Sequence, residues 1–93
     1  MPIQSFKDED TETVYLTGKS RVFGNIANVA TRKLDMLDAA ADLRDLRSPP
    51  GNHLEALSDD RAGQHSIRIN DKWRICFVWT AAGPTNVEIV DYH

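Results

Sequence analysis

The stretch that decides the fold is Trp73-Arg74-Ile75-Cys76-Phe77-Val78-Trp79, which is apolar at every position except Arg74. A short, nearly continuous apolar run of this kind is typical of a central strand that is buried on both faces. Turns at Asn70-Asp71 and at Ala82-Gly83-Pro84 bound it on either side. An arginine inside such a strand is costly unless its charge is paired, so Arg74 is also the first candidate for a functional residue.

Strands with a period of two surround this stretch. In residues 64–69, Ile67 and Ile69 alternate with Ser66 and Arg68, as in a strand with one apolar face. Further strands are predicted at residues 3–6, 54–57 and 86–92. The last four strands follow one another without a helix between them, so they predict an antiparallel meander.

Two helices are predicted before the meander. Asp8 to Asp10 offer an N-cap and Gly18 offers a stop for a short first helix. From about Asn25, apolar residues at spacings of three and four predict an amphipathic helix whose buried face consists of Ile26, Ala30, Leu34, Leu37 and Ala41. Asp42 to Arg47 either extends this helix or forms a second short one, and Pro49-Pro50-Gly51 must end it.

This order of elements predicts an α+β fold in a single domain, residues 1–93. We expect the N-terminal strand and the helices to pack on one face of a mainly antiparallel sheet.

The composition bounds the function. The chain has 93 residues and a net charge of −3, from 11 basic and 14 acidic residues, which weighs against a general nucleic-acid binder. However, Arg61, Arg68, Lys72 and Arg74 fall close together in the predicted sheet. A small basic site on an otherwise acidic protein would bind free RNA weakly, but it could bind RNA that a larger partner holds in place.

Several classes of protein are not expected. No apolar stretch approaches 18 residues, so no membrane partner is predicted. The single cysteine, Cys76, cannot form an internal disulfide, which fits a cytoplasmic location. Cys76 has no metal-ligand spacing with a histidine, so no zinc site is predicted. The sequence contains no phosphate-binding glycine loop, so no cofactor is predicted either.

Arg74 has two interpretations. It forms a structural ion pair with Asp91 or Glu88, or it holds a phosphate, because a guanidinium meets phosphate oxygens in a two-pronged geometry.

The C-terminal residues Asp91, Tyr92 and His93 can all hold or move protons. A histidine pinned by a well-defined strand can transfer protons at neutral pH, whereas an unpinned terminal one is solvated and idle. Asp91 either orients His93, pairs with Arg74 or caps the sheet. Tyr92 is either an ordinary edge aromatic or a platform on which a base stacks.

Arg61 and Arg68 are either part of a solvated edge or a rim that follows RNA phosphates. His53, after the proline turn, and His65, at the start of a strand, are each more ordinary than catalytic when considered alone.

Five blocks of the sequence resemble the HigB-like killer proteins, which are toxins of bacterial toxin–antitoxin modules within the RelE superfamily. The blocks are residues 49–52, 54–57, 63–70, 73–77 and 87–93. The Ser66-Ile67-Arg68-Ile69-Asn70, Trp73-Arg74-Ile75-Cys76-Phe77 and Asp91-Tyr92-His93 segments are specific in combination. The resemblance covers most of the chain from about Thr31, and the N-terminal third matches more loosely.

The resemblance implies a RelE-like toxin that enters the ribosomal A site and cuts mRNA there without a metal, by attack of the ribose 2′-OH on the neighbouring phosphate. Carried over by position, Arg74 would hold the phosphate and His93 would transfer the proton. Asp91 and Tyr92 would orient the RNA or the imidazole, and Arg68 would join the basic rim.

The resemblance also implies partners. These are a HigA-type helix-turn-helix antitoxin that represses the shared operon, the ribosome and its mRNA. Operator DNA is expected to be reached only through the antitoxin, and the isolated toxin is expected to be monomeric.

The chain departs from the family pattern at a few positions. Many relatives read Leu-Lys-Gly-Asp where this chain has Leu57-Ser58-Asp59-Asp60, so a lysine is lost and an acid is gained. Relatives often have an arginine at position 53 and an aromatic residue at position 65, where this chain has histidines that are candidates for RNA contacts. These changes leave open a rival interpretation: a weak or inactive homologue that blocks translation or only binds its antitoxin.

Overall fold

Residues 1–91 fold into two helices, three short 3-10 helices and one antiparallel sheet. The structure is a computed structural model, and it describes residues 1–91. The helices are α1 (Glu9–Thr17) and α2 (Ala27–Ala39), and the 3-10 helices are Leu43–Arg47, Pro50–Asn52 and Asp59–Arg61. The strands are β1 (Glu55–Ala56), β2 (His65–Arg68), β3 (Trp73–Thr80) and β4 (Gly83–Asp91). The predicted α+β class is therefore confirmed.

The sheet is a meander with the strand order β1-β2-β3-β4 and antiparallel pairing throughout. The register sets Ile67 opposite Ile75 and Ile75 opposite Ile89. A bulge between Cys76 and Val78 interrupts the pairing of β3 with β4. β3 is thus a central strand, as the apolar run predicted.

The centre of β3 is buried on both faces, since Ile75, Cys76 and Phe77 are all fully buried. One face, which we call the helix-covered face, packs its apolar side chains against α2; these are Ile67, Ile75, Phe77, Val87 and Ile89. The opposite face, which we call the polar face, carries the residues one position away along the strands, namely Ser66, Arg68, Arg74, Cys76 and Glu88.

α1 begins and ends where the sequence predicts. The Asp8 side chain accepts hydrogen bonds from the Thr11 backbone N–H at 2.9 Å and from the Thr11 hydroxyl at 2.8 Å, which satisfies the first turn. Gly18 ends the helix in the left-handed conformation, with φ 73°. The Thr11 hydroxyl also accepts the Ile89 N–H at 3.0 Å, so the start of α1 is tied to β4.

α2 buries the predicted apolar stripe, but its C-terminal end differs from the prediction. Ala30, Leu34 and Leu37 are fully buried, whereas Ala41 is exposed and lies beyond the helix. The Asp45 side chain accepts the Asp42 N–H at 3.1 Å and so helps to start the separate 3-10 helix. This capping box competes with continuation of α2, and the buried position falls on Ala40 instead.

The predicted N-terminal strand at residues 3–6 is wrong in extent. The segment is extended and runs parallel to β4, but it forms only an isolated bridge between Phe6 and Val87. Its backbone contacts include Gln4 N–H to Pro84 O at 2.8 Å and Val87 N–H to Ser5 O at 3.1 Å. Because Asp8 already caps α1, the segment is too short to continue the pairing.

Candidate anion-binding site on the polar face

Arg74 is held rigidly on the polar face. Only 12% of its side chain is exposed. Its Nε donates to the Ser66 hydroxyl at 2.7 Å, and its Nη2 donates to the His53 carbonyl. The Glu55 carboxylate lies 3.8 Å from the same Nη2. Within residues 1–91, Arg74 Nη1 donates no hydrogen bond, so one edge of a fixed guanidinium remains for an anion.

Of the two interpretations of Arg74, the structural ion pair with Asp91 or Glu88 is wrong. Glu88 lies 3.1 Å from Arg61 and 3.4 Å from Lys7, and the carboxylate near Arg74 is that of Glu55. Glu55 lies in the edge strand β1, which pairs with Ser66 of β2 and so reaches the polar face beside Arg74.

The turn before β1 supplies the second partner of Arg74. His53 follows the 3-10 helix Pro50–Asn52 and adopts the left-handed conformation, with φ 44°. This conformation is uncommon for a residue other than glycine, and it accompanies the His53 carbonyl's contact with Arg74. The contribution of His53 to the site is therefore a backbone oxygen.

A second arginine lies beside Arg74. Arg68 of β2 is the direct cross-strand partner of Arg74, and residues opposite each other in an antiparallel pair share a face. Like charges placed directly opposite are destabilising. Arg68 forms an ion pair with Asp71, but the Asp71 side chain is fully exposed, so solvent screens that pair. The arrangement favours binding of an anion between the two guanidinium groups.

Asp91 does not join Arg74. The register sets Asp91 opposite Trp73 and sets Val90 opposite Arg74, so Asp91 shares the face of Trp73. Its carboxylate lies 3.7 Å from the ammonium of Lys72, which in turn lies 5.4 Å from the centre of the Trp73 ring. Of the three roles considered for Asp91, the pairing with Arg74 is thus wrong, and its ion pair with Lys72 lies at the end of the sheet.

Arg61 lies on the polar face but is engaged there. Its Nη1 donates to the Gln64 side chain at 3.1 Å and to Glu88 at 3.1 Å. The fully buried Cys76 lies opposite Glu88 in the register, and its burial raises the pKa of the thiol. The carboxylate in this half of the polar face, Glu88, is largely buried, whereas the carboxylates beside Arg74 and Arg68, those of Glu55 and Asp71, are more than half exposed and are therefore screened by solvent.

His65 lies on the other side of the sheet from Arg74. It is opposite Phe77 in the register, and the two rings stack with their centres 6.3 Å apart. It borders a cavity of about 230 Å³ that is also lined by Leu43, Arg44, Arg47, Leu54 and Ala56. His65 is therefore not grouped with Arg74, because alternation along β2 directs them to opposite faces. An RNA contact by His65 stays a prediction.

The sequence prediction missed Ser66, Glu55, Asn52 and Lys33. Ser66 could have been predicted, because it alternates with Ile67 along the strand and so lies on the same face as Arg68. Lys33 and Asn52 carried none, because their side-chain hydrogen bond joins residues that are far apart in sequence.

Two of the predicted catalytic residues, Tyr92 and His93, lie outside the described residues. Within residues 1–91, no group of three or more His, Cys, Asp or Glu side chains is placed to hold a metal ion. In the same part of the chain, every helix is too short or too polar to cross a membrane.

Comparisons with known proteins match nearly the whole chain. A family model for the RelE-like toxin of the type II toxin–antitoxin system HigB matches residues 4–93. Toxin HigB-1 of Vibrio cholerae serotype O1 is 42% identical over 76 residues, which are 80% of this chain and 80% of that protein. An uncharacterized protein of Haemophilus influenzae is 38% identical over 76 residues, which are 80% of this chain and 75% of that protein.

Proposed function

The chain belongs to the HigB-like family of RelE-like type II toxins, and from this premise we propose that it is an endoribonuclease that cuts mRNA in the ribosomal A site. Membership of a type II system implies an antitoxin partner. The finer activity rests on the polar face and on the chemistry that its residues can supply.

One observation carries the proposal. Arg74 is nearly buried, fixed by Ser66 and His53, and set directly opposite Arg68. A cation held in one orientation costs little reorganisation when negative charge develops on a bound phosphate. An arginine that served only to balance Glu55 would need neither the second arginine nor a guanidinium edge without a partner.

The proposed reaction is transesterification of a phosphodiester. The 2′-oxygen attacks the adjacent phosphorus as its proton passes to a base, and the bond from phosphorus to the 5′-oxygen breaks as that oxygen receives a proton from an acid. The products are a 2′,3′-cyclic phosphate and a free 5′-hydroxyl. Arg74 would stabilise the charge on the non-bridging phosphate oxygens, and His93 would be the proton-transfer residue.

The remaining residues would position the RNA. We assign Tyr92 to stacking on a base or orienting the imidazole, and Asp91 to orienting the RNA or the imidazole from the sheet end that it shares with Lys72. Arg68, Lys72 and Arg61 would form the rim along the phosphates, with His53 beside them at the turn. No cofactor takes part in this scheme.

The charge of the whole chain is compatible with a ribosome-dependent enzyme. A protein with a net charge of −3 grips naked RNA weakly, whereas the ribosome would present a positioned strand. We place the toxin in the cytoplasm as a monomeric domain of residues 1–93. Its partner would be a HigA-type helix-turn-helix antitoxin, through which alone it would reach operator DNA.

The test expresses the chain without its antitoxin and maps the 5′ ends of mRNA on ribosomes. In-frame cuts are expected for the natural chain, with a loss of about 10²–10³-fold in Arg74→Ala, the magnitude for removing one charge-stabilising donor. His93→Ala should lose the cuts as well. Lys19→Ala is the matched control, because Lys19 is an exposed cation of the loop after α1.

The rival interpretation gives a different result. Translation that stops with intact mRNA, unchanged by His93→Ala, would identify a protein that blocks the A site. The sequence around Ser58 and Asp59, where relatives carry a lysine, makes this the outcome to exclude first.

A further inference from the structure

Lys33 is a cation that the structure draws away from solvent. Lys33 lies on α2 outside the apolar stripe, yet its side chain is partly buried. Its Nζ donates to the Asn52 side-chain oxygen. Asn52 is fully buried and its amide donates to Leu46 O at 3.1 Å and Ser48 O at 3.3 Å. The ammonium of Lys33 is therefore anchored on a rigid point of the fold.

Lys33 lies among other positive charges. Burial, and then the charges of Arg32 and Arg68, lower the pKa of the Lys33 ammonium below its ordinary value. Among residues 1–91, no carboxylate offsets these effects on the pKa of Lys33. Partial burial and the neighbouring positive charges disfavour the charged form of this ammonium, and an anion bound beside it would offset both effects.

This cluster adjoins Arg74 through one peptide unit. Asn52 accepts from Lys33, and the next residue, His53, accepts from Arg74 through its carbonyl. Arg68 is the cross-strand partner of Arg74 and also acts electrostatically on Lys33. Lys33 of α2 and Arg74 of β3 thus contact neighbouring residues of one turn, and Arg68 of β2 lies opposite Arg74.

We propose that Lys33 and Arg68 form a second phosphate subsite next to Arg74, which takes the RNA phosphodiester adjacent to the scissile one. This inference rests on the proposed function for the identity of the strand. Arg32 would add long-range attraction from the exposed surface of α2. The Asp71 carboxylate, which is fully exposed, would give way to the phosphate on Arg68.

The subsite would constrain the position of the RNA strand. A phosphate there would fix the register of the strand, because a cation on each of two neighbouring phosphates leaves one position for the reacting bond.

The first test uses inorganic phosphate and does not depend on cleavage. The full chain is titrated with phosphate while NMR follows the side-chain methylene signals of its lysines. The Lys33 signals are expected to shift and saturate, while those of Lys19 do not. Arg68→Met should abolish the saturable shift. Equal, unsaturating shifts at both lysines would overturn the subsite.

The second test measures binding to ribosomes whose A-site codon carries 2′-deoxyribose, so that attack cannot occur. Lys33→Met is expected to weaken binding about tenfold, the loss typical of one charge-assisted hydrogen bond, and Lys33→Arg should retain binding. The dependence of log affinity on log salt should become shallower by about 0.7, as for one phosphate contact to a single strand.

The arms of the second test separate the sources of the phosphate. A loss seen only with mRNA in the A site assigns the subsite to the messenger. A loss of equal size on ribosomes without mRNA assigns it to ribosomal RNA, which overturns the neighbouring-phosphate assignment. No loss in either arm contradicts the subsite.

The two proposals fail differently. If the natural chain makes no cuts but its phosphate titration saturates at Lys33, the cleavage proposal fails while the anion site stands. If cuts occur and Lys33→Met behaves as Lys19→Met does, the second subsite fails alone.

Discussion

The two faces of β3 meet opposite physical requirements at adjacent positions of one strand. On the helix-covered face, Ile75 and Phe77 are fully buried among apolar side chains, and shape alone fixes them. On the polar face, Arg74 is fixed by a hydroxyl, a carbonyl and a carboxylate. The difference teaches that the first face depends on burying apolar area, whereas the second depends on directional hydrogen bonds and ion pairs, which fix Arg74 and still leave one edge of its guanidinium for an anion.

The largest effect is expected on the helix-covered face. Phe77→Ala should lower the free energy of unfolding by about 3–5 kcal/mol, because it removes a fully buried ring and leaves a cavity. Urea unfolding measures this loss. Phe77→Leu is the control that keeps most of the volume. An alanine variant as stable as the leucine variant would mean that this face is not the main core.

On the polar face, Ser66→Ala should lower the free energy of unfolding by about 1–3 kcal/mol, because the hydroxyl that receives Arg74 Nε is lost. In an Arg74→Met background the same change should cost less, since the donor is already absent. A double-mutant cycle by urea unfolding gives the coupling. Strict additivity would contradict a functional contact between the two side chains.

A smaller effect is expected at Glu88, where Arg61 and Lys7 converge. Glu88→Gln keeps the shape and removes the charge, so it should cost about 1 kcal/mol at low salt, and less at high salt because the two cations are partly exposed. Thermal unfolding at two salt concentrations measures it. Asp35→Asn, on the exposed surface in the middle of α2, is the control and should be nearly neutral. Equal losses of stability in the two variants would contradict a stabilising role of the Glu88 ion pairs.

The smallest effect concerns Cys76 and pH. Burial raises the pKa of its thiol above the ordinary 9.0, so the folded chain holds this proton where the unfolded chain releases it. The contribution to stability is therefore complete below pH 9.0 and declines as the pH rises above that value. The stability difference between the natural chain and Cys76→Ala, followed from pH 7 to about pH 10, should shrink in that window. A constant difference would show that the thiol titrates alike in both states.

Local patterns predicted the fold well. The apolar run of β3, the cap at Asp8 and the stop at Gly18 are decided by neighbours in sequence, and each was found where it was expected. The errors lie where two local signals compete. Ala41 continued the apolar spacing of α2, but the capping box at Asp42 started a new helix.

The candidate site was predicted only in part, because its contacts depend on register. Arg74 was identified from its unusual place in an apolar strand. The partners of Arg74 could not be identified from the sequence, because Glu55 and His53 reach it only through the pairing of β1 with β2 and a left-handed turn. The expected pairing of Arg74 with Asp91 failed for the same reason: one position of register decides the face on which a side chain lies.

The close approach of the N-terminal segment to β4 has a consequence for the behaviour of the protein in concentrated solution. Gly83 has φ 127°, and a Cβ there would lie 2.4 Å from the Pro2 carbonyl oxygen. A larger residue would push this segment off the outer side of β4 and uncover hydrogen-bonding groups that can pair with another molecule. Gly83 thus keeps the outer side of β4 covered by the N-terminal segment, which protects the protein against edge-to-edge pairing with its own copies.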